Sequence, residues 1–383
     1  MTLKQLFTST SLIILLLACS MVSNASEGKL KTVNLASDKI RYLGTNYVYH
    51  TSPDNKSLDN NILDNSTFAH KQVSFTRHSQ AVLALPKKSS NFNSDKAQTN
   101  AGIAMNFATD SNALELSFTA LPKINRGADI ALYENNQFIK NFKFNNKKKN
   151  FSISFDSQQQ DAISEYKIVL PSLANLAIRS LRIEANSRLT ELTTKRKAKY
   201  IALGDSISHG VGQGSASYLT YPYLLADGLN LELFNLAVGG AQVSPPTAEM
   251  LTDFDDIDLI TVLVGYNDWN APNADIKVFK RKYNTMLDSL LALHPESKIY
   301  CITPLFTKRK TAKNSDLPIQ AYRDTIIALV KEKQKKSSNK ISLIHGDKIS
   351  SVDNLRADKP SDPVHLGIPG AKLFAQQLIS IIK

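Results

Sequence analysis

From Tyr200 to the end of the chain, short apolar runs alternate with amphipathic stretches, and this alternation constrains the fold more than any other feature. "YIALG", "LELFN", "DLITVLVG", "KIYCITP" and "ISLIH" each have the length and content of one strand. Helical patterns lie between them. In "ADIKVFKRKYNTMLDSLLALH", Ile276, Phe279, Tyr283, Met286, Leu287, Leu290 and Leu293 recur at helical spacing. "LPIQAYRDTIIALVKEKQ" and "GAKLFAQQLISII" repeat the pattern. Strand–helix alternation over residues 200–383 implies a parallel sheet covered by helices on both faces, a three-layer α/β/α domain. Ligands of such sheets bind beyond the carboxyl ends of the strands.

The preceding sequence is patterned differently. From Gln80 to about residue 190, "AVLALP", "GIAMNFATD", "ALELSFTALP", "DIALYENNQFIKNFKF", "NFSISFD", "YKIVLP" and "IRSLRIEA" follow one another at near-regular spacing. In "ALELSFTAL", Leu114, Leu116, Phe118 and Ala120 face one way and Glu115, Ser117 and Thr119 the other, a period of two. "ENNQ" suits a tight hairpin, because asparagine tolerates positive φ. No stretch before about residue 190 has a convincing helical period. The expectation for residues 27–190 is an all-β sandwich of jelly-roll type, joined by a polar, basic linker at 191–199 to the domain at 200–383.

The first 25 residues read as an export signal. Lys4 is followed by the apolar run "SLIILLLA", which is too short to span a bilayer. Two processing sites compete. "LLAC" resembles a bacterial lipobox, with Cys19 as a lipid-anchored N-terminus, and "SNA" is an ordinary small-residue cleavage site. On either reading the expected location is outside the cytoplasm: periplasm, outer membrane or medium. The other cysteine, Cys301, sits in an apolar segment and reads as a buried thiol. Two cysteines and seven histidines, with no metal-ligand spacing, give no metal site. The net charge of +12 is gathered in "KFNNKKK", "KRKAK" and "KEKQKK", which suit either a loop, a linker and a solvated helix end, or contact with acidic polysaccharide or the phosphates of an outer envelope. Nucleic acid is not an expected partner of an exported chain that lacks a recognition motif.

Four polar blocks fall at strand ends: Gly204-Asp205-Ser206, "NLAVGGA" (Asn235 to Ala241), "GYNDWN" (Gly265 to Asn270) and "DPVHLGIPGA" (Asp362 to Ala371). Each has a purely structural reading as well. Ser206 could cap a helix, Gly239 and Gly240 could permit a turn, and Asn267 could tie down a loop. Taken together and in this order, they resemble the SGNH hydrolases, the GDSL-type esterases and lipases, over about residues 199 to 383. The resemblance implies a flavodoxin-like sheet and a serine nucleophile, Ser206. A serine hydroxyl is a poor nucleophile until a base takes its proton. His365 is the candidate base, with Asp362 orienting it. The resemblance also implies an oxyanion hole made by the backbone N–H groups of Ser206 and Gly240 and the side-chain amide of Asn267. Gly239 directly precedes Gly240, so the match could slip by one. Trp269, the only tryptophan, and its neighbour Tyr266 are candidate substrate contacts, Trp269 as a sugar-stacking platform or else as a core residue. Asp205, Asp268, His209, His294 and His345 read as structural.

An all-β module ahead of an SGNH domain resembles the architecture of carbohydrate O-acetylesterases. "GADIALY" is similar to a GxDLY-type signature of such modules, with inserted residues. The expectation is an exported serine esterase that removes short acyl groups, O-acetyl above all, from a carbohydrate without metal or organic cofactor. The alternatives are a lipase or lysophospholipase acting on envelope lipids, and a carbohydrate-binding surface protein with an inert hydrolase domain.

Overall fold

The computed structural model describes residues 30–51, 72–145, 147–313, 316–337 and 340–383. The segment expected to be an export signal, with Cys19, lies outside the described residues. The N-terminal part contains β1 (Leu30–Thr32), β2 (Ile40–Leu43), β3 (Tyr47–Thr51), β4 (Gln72–Thr76), three short helices α1 (Gln80–Ala84), α2 (Lys87–Ser90) and α3 (Ser94–Ala97), then β5 (Ala104–Thr109), β6 (Ala113–Asn125), β7 (Asp129–Glu134), β8 (Gln137–Lys143), β9 (Asn150–Asp156), β10 (Ser164–Val169), β11 (Ala174–Glu184) and β12 (Leu189–Thr190). They form two antiparallel sheets. One runs β3-β4-β11-β6-β9 with β1 on β11, the other β12-β5-β10-β7-β8 with β2 on β5.

The period-two pattern has the expected result. Leu114, Leu116 and Phe118 of β6 are buried, and Glu115 between them pairs with Arg182 of β11 at 3.0 Å. Val73, Leu116 and Ile178 from the first sheet share one buried cluster with Met105, Leu132 and Ile168 from the second. Asn135 and Asn136 both adopt positive φ in the β7–β8 hairpin, as its turn demands.

The helices α1 to α3 correct the expectation that no helix precedes residue 190. "AVLALP" forms helix, not strand. Ser79 caps α1 by accepting the Val82 N–H, Asn93 caps α3 by accepting the Lys96 N–H, and Pro86 separates α1 from α2. Apolar runs this short carry no decisive period, so the caps decide.

The C-terminal part alternates as expected: β13 (Lys199–Gly204), α4 (Ser206–His209), α5 (Tyr221–Gly228), β14 (Glu232–Asn235), α6 (Pro245–Glu249), β15 (Ile257–Leu263), α7 (Tyr266–Trp269), α8 (Ile276–Leu293), β16 (Lys298–Ile302), α9 (Ile319–Ser337), β17 (Ile341–Ile344) and α10 (Ile368–Ile382). The sheet is parallel, in the order β14-β13-β15-β16-β17. The chain first steps to one side of β13 and then returns to the other, which opens a crevice at the carboxyl end of β13. Helix α8 buries Phe279, Tyr283, Met286, Leu287 and Leu290 as its spacing predicts, whereas Leu293, at its last position, is exposed.

Candidate active site

The crevice begins with a cap. β13 is buried from Tyr200 to Gly204 and ends at Asp205, whose carboxylate accepts the Ile207 N–H at 3.0 Å. That bond starts α4 directly after the strand. Ile207, Ser208 and His209 turn inward, and only Ser206 of this helix is partly exposed.

His365 arrives from the other side, on the loop before α10. This loop is folded back on itself: Arg356 N–H donates to His365 O at 3.0 Å, and Gly367 N–H donates to Asn354 O at 2.9 Å. It also packs on the segment that follows Ser206. The Gln213 side chain donates to Leu366 O at 2.7 Å, and a Cβ at Gly212, where φ is +107°, would stand 2.1 Å from the same oxygen. Only glycine permits that approach.

His365 Nε2 consequently lies 2.8 Å from Ser206 Oγ, while Nδ1 lies 2.8 and 2.9 Å from the two oxygens of Asp362. A proton on Nδ1, held by the carboxylate, leaves Nε2 bare to accept from the serine hydroxyl. Asp362 is buried. Burial alone would raise its carboxyl, but donation from the His365 backbone and the attraction and hydrogen bond of the imidazole, with Val364 N–H, hold it below the usual carboxylate range.

The turn after β14 supplies donors. Gly239 N–H is committed to His209 Nδ1 at 2.9 Å. Gly240 follows with φ +84°, and among the described residues its N–H and that of Ser206 have no partner. Of the two glycines, Gly240 is therefore the one whose N–H is open to a further acceptor. Asn267, after β15, comes from the third direction; its amide donates to Ala241 O at 3.0 Å and to Asp205 Oδ2 at 3.3 Å. Donation to a new acceptor would have to share or replace the longer of these bonds.

His209 and Arg77 carry a function that sequence patterning did not indicate. The His209 ring is buried; Nδ1 accepts from Gly239, so Nε2 carries the proton and faces Ser172 O at 2.9 Å and Thr99 Oγ1 at 2.7 Å. Burial, reinforced by the nearby Arg77 charge, keeps the ring neutral. Arg77, which follows β4, is wholly buried. It donates to Thr99 O at 2.7 Å, Ala237 O at 2.6 Å, Lys96 O at 3.1 Å and Asn235 O. Burial lowers its guanidinium to about 9, which still leaves it charged at neutral pH. The antiparallel part thus grips the backbone of the Gly239–Gly240 turn. The sole sequence hint was the place of His209, three residues beyond the serine.

Trp269 is not a stacking platform. It is fully buried, meets Tyr266 edge-on at 5.7 Å between ring centroids, and donates its indole N–H to Leu317 O at 2.8 Å. Tyr266 is buried too. One turn of helix, α7, rotates both rings into the core. Asp268 accepts the Val243 N–H at 3.2 Å; burial raises its carboxyl to about 7, as it does that of Asp205. An open hollow of about 520 Å³ adjoins the crevice, with Gly240, Asn267, Lys87, Lys88 and Lys282 on its wall. A smaller one, about 80 Å³, lies at the amino ends of the strands near Glu232 and touches none of these groups.

A hydroxyl, an imidazole and a buried carboxylate connected in this way form the constellation of nucleophilic acyl chemistry. Residues 202–373 match the GDSL-like lipase/acylhydrolase family, and this match supports an ester hydrolase. Among curated proteins, none matches the sequence. Among solved structures, a salicylyl-acyltransferase, SsfX3, from a tetracycline biosynthetic pathway is similar at a TM-score of 0.74 and 18% identity, over 91% of this chain and 95% of that one. A family two carbohydrate esterase from Cellvibrio japonicus gives 0.61 and 13%, over 92% and 97%. The acetyl xylan esterase Est2A from Butyrivibrio proteoclasticus gives 0.59 and 16%, over 92% and 97%. At these identities the likeness is one of fold.

Proposed function

We propose that this chain is an exported serine esterase that removes short acyl groups, acetyl in the first place, from a carbohydrate. The observation that carries the chemistry is the 2.8 Å contact between His365 Nε2 and Ser206 Oγ. Ser206 Oγ attacks the ester carbonyl as its proton passes to His365. The oxyanion takes hydrogen bonds from the N–H groups of Ser206 and Gly240 and from Asn267. When the tetrahedral intermediate collapses, the sugar oxygen leaves with the proton from His365. Water, deprotonated by the same ring, then attacks the acyl-enzyme and releases the acid. Asp362 keeps the ring in the required tautomer.

The carbohydrate part of the reading draws on the fold shared with the two carbohydrate esterases named above. We read the two antiparallel sheets as one sandwich module over residues 27–190, and the N-terminal signal as its route out of the cytoplasm. The test is hydrolysis of 4-nitrophenyl acetate by the wild type and by Ser206→Ala. Loss of turnover with an unchanged circular dichroism spectrum is expected, and retained turnover would remove Ser206 as nucleophile. A parallel series of long-chain 4-nitrophenyl esters should be poor substrates, and preference for them would point to lipid instead.

A further inference from the structure

The hollow beside the oxyanion turn has a charge that the proposed reaction does not need. Lys87 and Lys88, both exposed on α2, face Lys282 of α8 across it. The two lysines come from the antiparallel part and the third from the parallel-sheet part, so the charge belongs to neither alone. Lys96 stands closest to the chemistry. Its ammonium donates to Gly239 O at 3.0 Å and would lie 3.6 Å from a Cβ on Gly240. Burial lowers the Lys96 amine, and the charges of Arg126 and Lys87 lower it further, so these cations lie within electrostatic range of one another.

Among the described residues, none of Lys87, Lys88, Lys96, Arg126 and Lys282 enters an ion pair with a carboxylate. Two acids do face the hollow. Asp275 spends its side chain capping α8, on Lys277 N–H at 2.7 Å and Val278 N–H at 3.2 Å. Asp268 is buried and titrates near 7, so at neutral pH it carries only part of a charge. Lys282 donates to a neutral partner, Asn91 Oδ1, at 2.8 Å. Like charges held together at a cleft mouth repel one another, and an anion that enters relieves the repulsion.

Resting on the esterase reading above, we infer that the acylated glycan is itself acidic, with carboxylate- or sulfate-bearing sugars next to the acylated one seated against Lys87, Lys88 and Lys282. A neutral acyl group at Ser206 then leaves the negative charge to the flanking sugars, which is where the hollow lies. Lysine is well matched to such a ligand, because a compact charge on a long stem meets anions whose spacing varies along a polymer.

The experiment compares kcat/KM of the full chain on three acetylated oligosaccharides of equal length: oligogalacturonate, xylo-oligosaccharide and sulfated xylo-oligosaccharide. Preference for either acidic form, whichever names the anion, is expected. The acidic-to-neutral ratio should fall as salt rises from about 0.01 to about 0.1 M, since the screening length shortens from about 30 to about 10 Å. It should also fall by up to about fivefold per charge in Lys87→Gln/Lys88→Gln, the upper end for exposed charge pairs. The control is Lys336→Gln, an exposed lysine at the end of α9 that leads into the amino end of β17, on the rim opposite the crevice. Equal kcat/KM on acidic and neutral oligosaccharides overturns this inference and leaves the esterase reading standing. Inactivity on all three and on 4-nitrophenyl acetate removes both.

Discussion

Replacing Arg77 by methionine tests whether the antiparallel part holds the oxyanion turn or merely abuts it. The guanidinium donates to four backbone carbonyls: Thr99 and Lys96 on its own side, Asn235 and Ala237 on the strand and turn that end in Gly240. Methionine fills much of the volume and donates nothing. Each orphaned carbonyl costs at least about 1 kcal/mol, about 4 kcal/mol for four, which agrees with about 3–5 kcal/mol for breaking a buried charge arrangement. Domain stabilities run to about 5–15 kcal/mol, so the variant should fold at 20 °C with a clearly lower urea midpoint. The catalytic effect is bounded separately. Complete loss of one oxyanion donor costs about 10²–10³ in kcat. Freeing Ala237 loosens Gly240 without removing it, so about tenfold or more is expected, with KM for 4-nitrophenyl acetate little changed. Arg77→Lys cannot reach four acceptors and should fall between. Urea titration and steady-state kinetics on the same preparation give both numbers. A variant that loses several kcal/mol while kcat stays within twofold of wild type would refute the coupling.

Three further substitutions probe the site. Gly212→Ala places a Cβ 2.1 Å from Leu366 O at a φ of +107°, so the His365 loop must shift; kcat should fall about tenfold or more, and an unchanged value would show that the loop position is not set there. Asp362→Asn frees the imidazole from its tautomer and should lower kcat by something on the order of 10²–10⁴ in the 4-nitrophenyl acetate assay; a change under fivefold would leave Ser206 and His365 working as a pair. Asp268→Asn concerns pH. The folded carboxyl titrates near 7 and an unfolded one near 3.9, so between these values the unfolded state binds fewer protons. Stability therefore falls as pH rises from about 4 to about 7, by about 1.4 kcal/mol per pH unit, and levels off above. The asparagine keeps an acceptor for Val243 N–H and removes this contribution, which urea midpoints across that range would report. Asp205 also titrates near 7, so the slope should be reduced rather than abolished.

What was legible in the sequence follows from what is periodic or local. Buried parallel strands and the stripe of α8 repeat within a few residues, so their patterns survive without any knowledge of neighbours. The serine, glycine, asparagine and histidine blocks could be placed because each sits at a strand end or just before a helix, and strand ends were readable. Helices α1 to α3 were not, because four or five residues hold too little period and their caps speak only once the chain direction is known. The choice between platform and core for Trp269 stayed open for a related reason: α7 is a single helical turn, and its rotation, which sends the indole into the core, has no signature in composition.

Arg77 and His209 belong to a further class. No local pattern marks either, since what makes each of them matter is a partner more than 20 residues away: Asn235 and Ala237 for the arginine, Thr99, Ser172 and Gly239 for the histidine. Their chemistry also explains why such residues stand at this junction. Backbone carbonyls and N–H groups at the rim of a parallel sheet have no next strand to bond, and an interface that buried them bare would be costly. A guanidinium supplies several donors at once, and a neutral imidazole supplies one donor and one acceptor. Between them, they satisfy Asn235 O, Ala237 O and Gly239 N–H, and leave the next N–H, that of Gly240, facing the crevice. The bonds from His209 Nε2 to Thr99 and Ser172 join the two parts and hold the ring whose other nitrogen engages Gly239 N–H. If the two parts were separated, His209 would lose Thr99 and Ser172, and the orientation of the ring that accepts Gly239 N–H would rest on the parallel-sheet part alone.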